Sequence, residues 1–242
     1  MKYFISTLSM PVNNYTQSHL RPVDQPESLK QIAYQALHKA LMAGELKPGA
    51  IYKEKELSKL LSTSRTPVRE ALLELAAKGM VTFLPRKGIQ INQFDIQDLN
   101  ELFEMRKALE LAAVEKVAAT ISKNEVQKLE SVLEEQRASA EQKDVIRFLE
   151  CDRQFHTLLT ALTNNKRLVE SLENNRDLLQ VMSAFALSIE DRLWEVIEEH
   201  EAVLEAVGDQ ASDLAREKMG RHLEESRKKT ETGMLQSFKN TG

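Results

Sequence analysis

The sequence predicts a mainly α protein in two parts: an N-terminal winged helix-turn-helix with a small β-hairpin wing, then an all-α helical-bundle domain that binds a ligand. Three observations carry this. Apolar residues recur at three- and four-residue steps through most of the chain, as buried helix faces require. Two short β-rich runs, Val81-Thr82-Phe83-Leu84 and Ile89-Gln90-Ile91, flank the basic turn Pro85-Arg86-Lys87-Gly88, the pattern of a hairpin. The net charge of −4 conceals an asymmetry: residues 27–92 carry eleven Lys/Arg against six Asp/Glu, whereas 93–242 carry twenty against thirty. A basic segment on an acidic body assigns contact with a polyanion to the first third alone.

The elements read in order as follows. Residues 1–26 are polar, with Pro11, Pro22 and Pro26 and no sustained period, and are expected to form a flexible arm. A helix starts near Ser28 and buries Leu29, Ile32, Ala33, Ala36, Leu37, Ala40 and Leu41. Gly44 stops it, Lys47-Pro48-Gly49 turns the chain, and Ile51-Tyr52 leads into a helix through Leu57, Leu60 and Leu61. After the break Ser62-Thr63-Ser64 comes a helix with Thr66 as N-cap, Pro67 at its first position and Gly79 at its stop, as terminus chemistry prefers. The winged domain is thus placed at 27–94. From Asp95 no strand is expected; helices are placed at about 95–119, 123–140, 144–163, 166–187, 190–207 and 209–235, with 236–242 as a tail. Ser122 and Glu125 have the spacing of a capping box. The single cysteine, Cys151, excludes an intrachain disulfide and fits a reducing compartment. No apolar run approaches the roughly 18–20 residues of a membrane span, and no signal cleavage site is evident. A cytoplasmic protein with no membrane partner is expected.

The order helix, helix, short break, helix, basic hairpin is that of a DNA reader. A recognition helix needs N-terminal residues that reach base edges. Here it opens Ser64-Arg65-Thr66-Pro67-Val68-Arg69, and Arg65 and Arg69, four apart, share a face. Arginine is the usual bidentate partner of guanine. Thr66 can reach a base or a phosphate, while Lys55, Arg86 and Lys87 suit backbone or groove contacts. These stretches, with Leu46-Lys47-Pro48-Gly49 and above all Ser64-Arg65-Thr66-Pro67-Val68-Arg69-Glu70-Ala71-Leu72, resemble the DNA-binding domain of GntR-family regulators. The resemblance implies DNA contacts from Lys55, Arg65, Thr66, Arg69 and the wing around Arg86 and Gly88. Lys55 departs from the arginine often found there, which keeps the charge but not a bidentate fork.

In the helical part, polar residues occupy apolar stripes. Arg106 falls on the stripe Leu99, Leu102, Phe103, Leu109, Ala113, Val117, where it must be paired or must face a polar guest such as a carboxylate. An internal salt bridge, for instance to Glu110, is the alternative. Asp152 and His156 lie one turn apart on the seam Val145, Leu149, Leu159. His200 sits with Leu193, Ile197, Leu204 and Val207, and His222 with Ala215 and Met219. One aspartate and three histidines from three helices suit a borderline divalent ion, zinc first and nickel as the alternative. Asp152-Arg153-Gln154-Phe155-His156, the region around Glu199-His200, and Met219-Gly220-Arg221-His222-Leu223 resemble the FadR-type C-terminal ligand-binding domain, FCD. Many members bind a metal through the matching Asp and three His, and a small carboxylate through that metal and the arginine at Arg106. The fatty-acyl-responsive member lacks the set, which points away from an acyl-CoA effector.

The resulting expectation is a homodimeric transcriptional regulator, a repressor type, that binds double-stranded operator DNA and is controlled by a small organic acid. Two rivals stand beside it: a metal-dependent hydrolase, disfavoured by the absence of HExxH and of a separate general base, and a DNA-binding protein that senses no ligand.

Overall fold

In the computed structural model, which describes residues 27–186 and 191–240, Ser28 caps the first helix, α1 (Leu29–Met42), by accepting the Gln31 amide. Ala33, Leu37 and Leu41 are buried along one face of α1. Strand β1 (Ile51–Tyr52), α2 (Glu54–Leu60), α3 (Arg65–Ala77) and the hairpin β2 (Val81–Leu84) and β3 (Gly88–Ile91) complete the unit. The sheet runs β1-β3-β2, antiparallel throughout, with Tyr52 opposite Ile89 and Thr82 opposite Gln90. Its core unites Leu37, Leu57, Val68, Leu72, Leu75 and Ile89. Gly88 has φ +131°, and a Cβ there would stand 2.3 Å from the Tyr52 carbonyl oxygen. Only glycine lets β1 approach the wing this closely.

Helices α4 (Ile96–Ala118), α5 (Lys123–Glu141), α6 (Val145–Ala161), α7 (Lys166–Ser183), α8 (Arg192–Gly208) and α9 (Ser212–Asn240) form the second unit. Reciprocal capping boxes, Asp95 with Asp98 and Ser122 with Glu125, start α4 and α5. The core runs through Val114, Val117, Leu129, Leu133, Phe155, Leu159, Val203, Val207, Met219 and Leu223. The mainly helical fold class is as expected, and several boundaries differ, among them the end of α7, at Ser183 rather than 187. Ser64, not Thr66, is the N-cap of α3, so Pro67 is its third residue; proline is tolerated there because first-turn amides have no intrahelical acceptor. The last helix starts at Ser212 and continues to Asn240, through most of the stretch expected as a tail, with Met234 buried against Leu99 and Met182. The arm expected at 1–26 lies outside the described residues.

The two units are joined by more than the linker between β3 and α4. Asp177 of α7, 2% exposed, accepts from Tyr34 of α1, from Lys78 Nζ at 2.5 Å just beyond α3, and from Arg153 Nη1 of α6 at 2.9 Å. His38 of α1 stacks on Tyr34 and brings Nε2 to 3.8 Å from the same carboxylate. Burial opposes ionisation of Asp177, but Lys78 and Tyr34 outweigh it and its carboxyl lies below the ordinary range. Replacement Asp177→Asn removes the charge these donors share; we expect a loss of about 2 kcal/mol, the scale of a hydrogen bond to a charged group. Faster proteolysis of the segment around Asn92–Asp95 would report the loosened contact. A cleavage rate equal to that of the unsubstituted protein would show that Asp177 does not hold the units together.

Candidate functional site

The face that can meet DNA is assembled by α2, α3 and the wing. Arg65 and Thr66 occupy the first two positions of α3 and are exposed, while Pro67 and Val68 are buried and fix the helix start against the core. Arg69, one turn on, is also exposed; its Nη1 donates to Glu54 Oε1 of α2 at 2.6 Å and its guanidinium lies 5.6 Å from the centre of the Phe83 ring of β2. That pairing ties the three elements into one surface. Lys55 is exposed on the first turn of α2, and Arg86 and Lys87 are exposed at the wing tip, Arg86 with φ +63°. Gly88 offers no side chain; its part is the close approach of β1 described above.

In the helical unit the four residues on three separate stripes converge. One donor atom from each of Asp152, His156, His200 and His222 lies within 4.8 Å of the others. His222 Nε2 is 3.3 Å from both His200 Nε2 and His156 Nε2, and Asp152 Oδ1 is 3.6 Å from His200 Nε2 and 4.0 Å from His156 Nε2. Helix α6 supplies Asp152 and His156 one turn apart, α8 supplies His200 and α9 His222. All three imidazoles are buried, and Asp152, with 23% of its side chain exposed, is the member nearest solvent.

The outer nitrogens explain how these rings are held. His200 Nδ1 faces Gln136 Oε1 of α5 at 2.9 Å, His222 Nδ1 faces Glu199 Oε2 of α8 at 2.7 Å, and Glu110 Oε2 of α4 lies 2.5 Å from His156 Nδ1. The oxygen acceptors hydrogen-bonded at Nδ1 of His200 and His222 favour the Nδ1–H tautomer in those two rings, which turns Nε2 inward as a lone pair, the orientation metal-ligating histidines take. Burial holds two of the rings neutral: His156 is lowered to about 4, and His200 is pushed well below its ordinary value, by desolvation and then by its histidine neighbours. Lone pairs 3.3 Å apart repel unless a cation lies between them. That spacing matches the edge of a tetrahedron with Zn–N arms of about 2.0–2.1 Å. The donor set therefore fits a borderline divalent ion.

Arg106 is buried, at 5% exposure, and its Nε donates to Glu110 Oε1 at 2.6 Å. The internal salt bridge raised as an alternative is thus present. It occupies one edge of the guanidinium; among the described residues, no protein acceptor takes its Nη groups. Burial disfavours the Glu110 carboxylate, yet Arg106 and His156 keep its carboxyl well below the usual range. Glu110 therefore links the arginine to a histidine, and it is Glu110 rather than Leu109 that is buried on the inward face of α4. Sequence reasoning also missed Gln136 and Arg176, and it named Glu199 only as part of the FCD resemblance, with no role at His222. Arg176 was legible in part, since it interrupts the apolar steps Leu172, Leu179 of α7 as Arg106 does on α4.

Comparison with known proteins agrees with the two-part architecture. A family model described as "Bacterial regulatory proteins, gntR family" matches residues 29–91, and an FCD domain model matches residues 101–225. The HTH-type transcriptional repressor RspR of Escherichia coli K12 is 29% identical over 212 residues, covering 86% of this chain and 90% of the relative. The regulator YdhC of Bacillus subtilis is 28% identical over 205 residues, 83% and 90% of the two chains. Among solved structures, E. coli McbR/YncC superposes with a TM-score of 0.71 at 25% identity, covering 83% of this chain and 95% of that one. These relatives are named as regulators, which leaves the hydrolase alternative without support. Among the described residues no helix is long and apolar enough to cross a membrane. The chain belongs to the GntR family of bacterial regulators, in the group that carries an FCD domain, and is a DNA-binding transcriptional regulator rather than an enzyme.

Proposed function

We propose that operator binding by this regulator is controlled by a small carboxylate held at a divalent metal, zinc or nickel, in the helical domain. The observation that carries this reading is the inward convergence of three imidazole Nε2 atoms, each with its Nδ1 already facing an oxygen acceptor, beside the buried guanidinium of Arg106. Asp152, His156, His200 and His222 would hold the ion, which supplies a Lewis-acidic seat for a carboxylate. Arg106 would grip the carboxylate through its Nη groups, because its Nε is engaged by Glu110. Operator DNA would be read by Arg65, Thr66 and Arg69, with Lys55, Arg86 and Lys87 on the backbone or groove. The assembly would be a homodimer, since helix-turn-helix regulators read paired half-sites. RspR is named a repressor, and the same mode is proposed here.

A route for the signal follows from chain adjacency. Asp152 at the ion and Arg153 at the interdomain carboxylate are neighbours on α6, and Arg153 meets Asp177, which holds Tyr34 and Lys78 of the DNA-binding unit. A shift of α6 on effector binding would reach α1 and α3 through two side chains. Such couplings are typically about 1–3 kcal/mol. The test is operator affinity with and without chelator and with a panel of small carboxylates, alongside elemental analysis of the purified protein. Arg106→Ala should weaken carboxylate binding by about tenfold or more, the scale of a charged hydrogen bond. Metal content should fall less, because Arg106 reaches His156 only through Glu110. Unchanged carboxylate affinity in that variant would contradict the clamp.

A further inference from the structure

Arg176 of α7 faces the same interior as Arg106. Helices α7 and α4 pack together, with Asn175 Nδ2 3.4 Å from Met105 Sδ, and Arg176 lies close enough to Glu110, Arg106 and Asp152 to feel their charges. Arg176 Nη1 donates to the Arg153 carbonyl at 2.9 Å, one residue from the candidate metal ligand Asp152. The side chain is only 6% exposed, and its Nη2 is buried with no protein partner. The carboxylates nearby are already engaged. Glu173 lies 3.1 Å from Arg176 Nε without accepting a hydrogen bond from it, and accepts instead from Arg153 Nη2 and Thr157 Oγ1; Glu110 serves Arg106 and His156.

A buried guanidinium with an unanswered donor is costly unless a guest answers it. Charge balance gives the kind of guest. Two guanidiniums and a divalent ion, set against the carboxylates of Glu110 and Asp152, leave an excess of two positive charges, while Glu173 and Asp177 are matched by Arg153 and Lys78, and Glu199 by Arg192. We infer that Arg176 is a second anion seat in this site, so that the effector is a dianion, a dicarboxylate with one end at the metal and Arg106 and the other on Arg176. This rests on the carboxylate-sensing reading above and narrows it.

The test uses the full-length, metal-loaded protein and isothermal titration with matched pairs: malonate, succinate and glutarate, each against its half-amide. The half-amide keeps the shape and loses one charge. At least one diacid should bind about tenfold or more tighter than its half-amide, as loss of a charged hydrogen bond implies. In Arg176→Met that gap should close while metal stoichiometry and half-amide affinity stay as they were. Removing one partner of a buried ion pair can destabilise the fold, and Arg176→Met leaves Glu173 behind; should the Met variant fail to fold, Arg176→Lys, which keeps the charge and loses the planar fork, should narrow the gap. Diacids and half-amides binding equally well, or a gap that survives substitution of Arg176, would overturn this inference and leave the carboxylate sensor standing. Metal-loaded protein that binds neither member of any pair would sink both.

Discussion

Chelation of divalent metal is expected to lower the melting temperature of this regulator by roughly 10 °C. Free metal at about a thousand times its dissociation constant stabilises a folded site by about 4 kcal/mol, and each kcal/mol moves the transition of a chain this size by about 2–4 °C. The physical source is local. Three buried imidazoles bring their Nε2 atoms together at separations as short as 3.3 Å, and removing the ion would leave those nitrogens facing one another in a buried space. Calorimetry before and after dialysis against chelator, with elemental analysis of both samples, measures the effect. His200→Ala should melt like the stripped protein and respond to chelator no further. Purified protein that carries no metal, takes up none and melts identically with and without chelator would remove the ion from the mechanism and the carboxylate seat with it.

The second large effect is expected at the other end of the molecule. Arg65→Ala should remove about 1–3 kcal/mol of base discrimination from each half-site. The proposed symmetric dimer would lose it twice, so operator affinity should fall by about thirtyfold or more, with specificity relaxed at the base pair that Arg65 reads. Arg69→Ala should act in the same direction and also free Glu54, which it holds at 2.6 Å, loosening α2 against α3. Metal content should be unchanged in both, because neither residue contacts the helical unit. Titration of operator and scrambled duplexes at fixed salt separates this from a phosphate contact, whose loss weakens both duplexes alike and lowers the salt slope. Equal weakening of operator and scrambled DNA by Arg65→Ala would move that residue from the base edges to the backbone.

By itself the sequence determined the helices, the wing and the identity of the four candidate ligands. Those features rest on local rules: three- and four-residue apolar steps, glycine and proline at the turns, and polar residues that break a stripe. Even so, local rules misplaced the start of α3, because both Ser64 and Thr66 are competent caps and the burial of Pro67 and Val68 decides between them. They put Leu109 inward where Glu110 is buried, because a charged side chain reads as solvent-facing until its partners Arg106 and His156 are known. Tertiary structure alone decided the rest. Gln136 meets His200 across 64 residues, His156 meets His222 across 66, and Tyr34 meets Asp177 across 143. Which oxygen orients which imidazole, why Arg176 ends with an unanswered donor, and how an α6 residue beside a candidate metal ligand reaches the DNA-binding unit all depend on helices packed far apart in sequence. No periodicity encodes those pairings, because a stripe states only that a residue faces inward and packing decides what it meets there.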